Sequence, residues 1–171
     1  MPVLVLGLGN PILGDDGVGW RVVEEVERRF QSSETGLPKS VEFDYVSLGG
    51  LALMERLIGY DRAILVDAIQ TPGGRPGAVY RLALDDLPTA HADSAHDASL
   101  KAALELGRRL GAALPAALAI VAVEAPRVFD LGQTLSPEVE ASVPAAAQAV
   151  LAALAPTLRE VIAPCDQFRG L

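Results

Sequence analysis

Two neighbouring acids, Asp15 and Asp16, sit in a glycine-rich turn, "GLGNPILGDDGVG", that joins an apolar opening to a helix-like run. Glycine turns between strand and helix commonly cradle phosphate, but an anion there needs positive charge rather than two carboxylates. A dinucleotide fingerprint fails because Ile12, not glycine, stands three residues after Gly9. A P-loop fails because Asp15, not lysine, follows Gly14. One acid is enough to cap the helix that begins here, which leaves the other to face outward. Two further polar positions stand at comparable transitions. Asp67 closes the apolar run "RAILVD", and His96 lies in "HADSAHDASL" at the start of a helical pattern. Asp16, Asp67 and His96 form a three-ligand set of nitrogen and oxygen donors, with positions left for water or substrate. An open divalent site of that kind suits hydrolysis, because the metal polarises a carbonyl or lowers the pKa of a bound water. Asn10 and Asp15 are supporting candidates: each either orients the site or satisfies turn amides.

Other catalytic designs lack their residues. The chain has no G-x-S-x-G elbow and no H-E-x-x-H helix. His91, its other histidine, lies in the acidic, loop-like "DDLPTAHAD" and reads as solvent-exposed. Ser94 and Ser99 flank His96 without making a triad, and Cys165 sits in the tail with no anchored base beside it.

The elements that must position these residues alternate in type. Residues 3–8 read as a short buried strand bounded by glycines, and residues 18–30 as an amphipathic helix with apolar positions 18, 22, 23, 26 and 30. Residues 41–46 alternate as a second strand, 49–59 form a short helix ending near a glycine, and 62–67 a third, buried strand. Residues 78–82 follow the turn-rich "TPGGRPG" and alternate as an edge strand, 94–111 are helical, and 118–124 form another central strand. Ser136 is placed to be the N-cap of a last helix with Pro137 in its first turn, and Pro144 is expected to kink or split that helix. The tail, 156–171, is weakly patterned. Strands joined through helices make a largely parallel sheet covered on both faces, whose ligands bind beyond the carboxyl ends of the strands.

With 171 residues, no repeat and no linker, the chain reads as one domain, 1–171. Half of it is apolar and the mean hydropathy is +0.31, yet no run nears the ~20 apolar residues of a membrane span. The opening apolar run is too short for a signal peptide and lacks a basic start. A single cysteine excludes an internal disulfide. A cytoplasmic protein with no membrane partner is the expectation. The net charge of −8 argues against nucleic acid and is compatible with a metal ion or a basic peptide.

At these residues the chain resembles the hydrogenase maturation peptidases, which trim the C-terminal extension from the large subunit of nickel-iron hydrogenases. "VLVLGLGNPILGDDGVGWRVVEEVE" is similar to the family's opening G-x-G-N … D-[DE]-G-x-G stretch, its most specific motif. "SLGGLALMERLIGYDRAILVDAIQTPGGRPGAVYRL" resembles its glycine-helix segment followed by a strand ending in Asp-Ala. "SAHDASL" fits S-x-H-x-x-x-L, and "GQTLSPEVEASVP" resembles the late G-x-x-L-S-P-x-V segment. The resemblance implies an α/β fold, a three-layer αβα sandwich with a mostly parallel twisted sheet of about five strands. It places the family's metal-binding, catalytic carboxylates at Asp16 and Asp67 and its histidine at His96. It further implies a metal-dependent or aspartyl-type endopeptidase, expected to be a monomer, whose partner is a hydrogenase large-subunit precursor. The metal is then the nickel already installed in that precursor, with no permanent cofactor needed and another divalent ion able to substitute. Either the metal or Asp16 activates the water.

One stretch departs from the family. Many members carry Gly-Ile-(Glu/Gln)-Pro after the last core strand, where this chain has "VEAP", residues 123–126, with Glu124 one place early. Two rival readings remain on the sequence alone. "GLGNP" also resembles the start of peptidyl-tRNA hydrolases, but the histidine of their "HNVG"-like stretch is missing and the acidic balance fits tRNA poorly. A non-catalytic metal-binding or assembly protein would use the same ligands.

Overall fold

The computed structural model describes residues 2–32, 40–84 and 97–155. The tail, 156–171, and the expected helix start at 94–96 lie outside them. β1 (Val3–Leu8) is buried at every position, as a strand covered on both faces must be. A single 3-10 turn (Gly14–Gly17) leads into α1 (Val18–Ser32), followed by β2 (Val41–Val46) and α2 (Gly50–Arg56). Next come β3 (Arg62–Ile69), β4 (Val79–Ala83), α3 (Asp97–Arg109), β5 (Ala117–Glu124) and α4 (Pro137–Leu154). The five strands form one sheet in the order β2-β1-β3-β5-β4. All neighbours are parallel except β4, which pairs antiparallel with β5 and closes one edge.

Strand alternation divides the core into two layers. Val3, Val5, Ile64, Val66, Val121 and Val123 meet α1 and α4 on one face. Leu4, Leu6, Leu65 and Ile120 meet Leu53 of α2 and Leu100 and Leu104 of α3 on the other. The result is an αβα sandwich. Its outer helices pair on each face, α1 with α4 and α2 with α3. No helix among the described residues is long and apolar enough to cross a membrane.

One expectation is corrected and another narrowed. β3 runs two residues past Asp67, because Ala68 and Ile69 continue the ladder opposite Val123 and Glu124. Of the two outcomes expected at Pro144, a kink or a split, the split is excluded, because α4 is one continuous helix. Pro144 and Glu140 both lie on the exposed face, so the Glu140 carbonyl that loses its amide donor opens to water. Ala146, Ala147 and Val150 then bury the second half of the helix against the sheet.

The direction of α3 matters for the site. The Gly59 amide donates to the Ala113 carbonyl, and the Ala116 amide to that of Asp61, so the α3–β5 connection lies at the amino end of β3. A helix of 13 residues spans about 20 Å. Its first residue, Asp97, therefore stands at the carboxyl edge of the sheet.

Candidate active site

The turn that follows β1 is shaped by close backbone contacts. Gly9 has a φ of +117°, and a Cβ there would meet the Asp16 carbonyl oxygen at 1.9 Å. This approach folds the chain back so that the Asn10 amide donates to Oδ2 of Asp16 at 2.6 Å. Oδ1 of Asn10 accepts the Ile12 amide at 3.2 Å, and its carbonyl accepts the Leu13 amide, which is the local side-chain bonding that favours Asn in turns. The Ser47 hydroxyl donates to the Gly9 carbonyl at 2.6 Å and ties in the end of β2. Asn10 thus orients the half-buried Asp16 through its backbone, not its side chain.

Asp67 lies within β3, 6% exposed, one residue beyond Val66, the register partner of Gly7. Its Oδ1 accepts the Ala68 amide at 2.8 Å. By alternation it belongs to the layer of Leu65 and Ile69, the face covered by α2 and α3. The start of α1 presses into the same seam. A Cβ on Gly19 would lie 2.2 Å from the Leu8 carbonyl oxygen and 2.5 Å from that of Val66. Asp16 and Asp67 therefore stand at the carboxyl ends of the neighbouring strands β1 and β3. Their oxygens are donors suited to hard and borderline divalent ions. His96, the residue before α3, lies outside the described residues, as do His91, Ser94 and Cys165. Among the described residues no three His, Cys, Asp or Glu side chains gather as a metal cluster.

Asp15 turns the opposite way from an outward-facing ligand. It is fully buried, and its carboxylate caps a helix other than its own. Oδ1 accepts the Ser136 amide at 2.5 Å, while Oδ2 accepts the Ser136 hydroxyl at 2.9 Å and the Arg127 amide at 3.2 Å. Ser136 is the N-cap of α4, but its hydroxyl serves Asp15 and makes no cap bond. A cleft of about 310 Å³ opens beside this junction, with walls from the turn (Pro11, Ile12), from α1 (Trp20, Arg21) and from the segment before α4 (Gln133, Leu135).

Glu124 shows what holds the end of β5. It is 5% exposed, and its two carboxylate oxygens accept the Thr71 amide at 2.8 Å and the Thr71 hydroxyl at 2.7 Å. The only acid in the "VEAP" stretch is thus committed to the loop between β3 and β4. A carboxylate ending an apolar strand must find such partners when buried, and that was its sequence signal.

A family model of the hydrogenase maturation proteases matches residues 20–153. The chain belongs to this family. It is 33% identical over 156 residues to the hydrogenase 2 maturation protease of Escherichia coli strain K12, covering 90% of this chain and 91% of the relative. The hydrogenase maturating endopeptidase HybD from E. coli shares the fold with a TM-score of 0.73 at 31% identity, over 94% of both chains. The [NiFe] hydrogenase maturation protease HybD from Thermococcus kodakarensis matches with a TM-score of 0.65 at 26% identity, over 90% of this chain and 99% of that one. This member of the hydrogenase maturation proteases is accordingly a peptide-bond hydrolase, which sets aside both the transfer-RNA reading and the non-catalytic one.

Proposed function

We propose that this protease removes the C-terminal extension of a nickel-iron hydrogenase large-subunit precursor, and does so only when that precursor carries nickel. Asp16, Asp67 and His96 are the ligands that read the metal. The observation that carries this reading is the position of Asp16 and Asp67 at the carboxyl ends of adjacent strands. That is where sheets of this kind bind their ligands.

Gripped there, the precursor's nickel supplies Lewis acidity to a nearby peptide carbonyl or to a water. The protein's part is positional. The Asn10 amide holds one Asp16 oxygen and so fixes the rotation of the carboxylate, as partners of metal ligands do. Either Asp16 accepts the proton of the attacking water, or the metal, by binding that water, would lower its pKa so that the proton leaves to solvent. Because the metal arrives with the substrate, the protease needs no resident nickel. It works as a cytoplasmic monomer.

The test is incubation with nickel-loaded and nickel-free precursor, followed by mass measurement of the product. Loss of the C-terminal extension from the loaded precursor alone is the expected result. Equal cleavage of both sinks the nickel reading, and cleavage of neither sinks the substrate. His91→Ala is expected to stay within about threefold of the unmodified rate, as a change at a residue whose sequence context reads as solvent-exposed should. A loss as large as that of His96→Ala would make His91 the imidazole of the site.

A further inference from the structure

Asp15 is a buried carboxylate that the reaction does not use, and its partners point to a task. A 3-10 turn of four residues has little stability of its own, so the Gly14–Gly17 turn must be held by the rest of the protein. The hold comes from the segment between β5 and α4. The Gly14 amide donates to the Gly132 carbonyl at 2.8 Å, and the Gly132 amide to the Ile12 carbonyl at 3.0 Å. The Asp15 amide donates to the Arg127 carbonyl at 3.1 Å. The Asp15 carboxylate then receives three donors from Arg127 and Ser136, across 112 and 121 residues of chain. The next residue is Asp16, whose Oδ2 accepts the Asn10 amide.

We infer that Asp15 is a positioning residue: it clamps the β5–α4 segment to the back of the turn and so fixes the Asp16 carboxylate for the reaction. The inference rests on the proposed role of Asp16. Replacing one carboxylate oxygen of Asp15 by an N–H2 sets a donor against either the buried Ser136 amide or the part-buried Arg127 amide, and the turn relaxes to resolve the clash. Asp16 moves with it, because the two residues share one peptide unit.

The variant is Asp15→Asn, which keeps the volume but offers an N–H2 where an acceptor is required. Three readouts are compared on the full chain: amide hydrogen exchange at Asn10, kcat with KM on nickel-loaded precursor, and exchange across the α2–α3 face as the measure of fold. The α2–α3 face is expected to stay protected while the Asn10 amide exchanges at least about tenfold faster. kcat is expected to fall about tenfold to a hundredfold with KM within about threefold, the scale seen when the support of a ligand is removed. Ser136→Ala withdraws one donor of the three and should move the same readouts less; it carries the test if Asp15→Asn does not fold. A folded variant with normal Asn10 exchange and normal kcat overturns the inference, as does a loss confined to thermal stability. The exchange readout needs no cleavage. If the unmodified protein fails to cut the precursor, the proposed function falls alone, and Asn10 exchange still decides the role of Asp15.

Discussion

Asp67→Ala is expected to lower precursor cleavage about a thousandfold while leaving the fold in place. A carboxylate 6% exposed, inside a strand flanked by β1 and β5, is a poor choice for stability, since burying it costs more than burying the alanine of its neighbour Ala122. The proposed role as a metal ligand accounts for the residue where packing does not. The variant should therefore lie within about 1 kcal/mol of the unmodified protein in unfolding, because the lost Ala68 hydrogen bond is offset by no longer burying the carboxylate. Loss of one metal ligand removes several kcal/mol of transition-state stabilisation, and each 1.4 kcal/mol or so is a factor of ten in rate. Asp16→Ala should be equally inactive but less stable, by about 1 kcal/mol more. Each variant strands one amide, Asn10 or Ala68, but the half-buried Asp16 costs less to bury, so less is regained by removing it. Cleavage followed by mass spectrometry, set beside thermal unfolding, separates the two effects. A folded double variant that still processes precursor at the full rate would remove both carboxylates from the reaction.

The patterns that were legible in the chain are those with local causes. Alternation at residues 41–46 sets β2 at Val41–Val46, and the unbroken apolar run of β1 reflects its burial on both faces. The alternation of 78–82 marks an edge strand, and β4 is one, although nothing in the alternation fixes its antiparallel direction. The charge on Asp67 read as the end of a strand, whereas the ladder to β5 carries the strand on to Ile69. Local rules fail most clearly at "DD". They assign one acid to cap the helix at 18, yet Asp15 caps α4, because its partners lie more than a hundred residues away. Only the folding of β5 beside β3 brings that segment within reach. His96 is likewise proposed from its place in the sequence before a helix, and the described residues place the start of α3 at the carboxyl edge of the sheet.

Gly9→Ala is expected to be the most damaging single-methyl change in the site, and a comparison with Gly59→Ala shows why. Both glycines have positive φ, +117° and +91°, so each alanine incurs backbone strain of about 1–3 kcal/mol. At Gly59 nothing lies within 4 Å of the new Cβ, and strain is the whole cost. At Gly9 the Cβ would sit 1.9 Å from the Asp16 carbonyl oxygen, a backbone atom that no rotamer change can move. Relief requires shifting the 3-10 turn, at an overpacking cost of about 1–3 kcal/mol more. That shift breaks the Asn10–Asp16 bond and carries the carboxylate off the carboxyl end of β1. Thermal unfolding of the two variants should therefore differ by several degrees, since about 1 kcal/mol shifts Tm by about 2–4 °C in a domain of this size. Precursor cleavage should fall with Gly9→Ala and hold with Gly59→Ala, which lies at the opposite edge beside the Ala113 carbonyl. Equal behaviour of the two would mean that the turn yields freely, in which case the close approach of Gly9 does not set the position of Asp16.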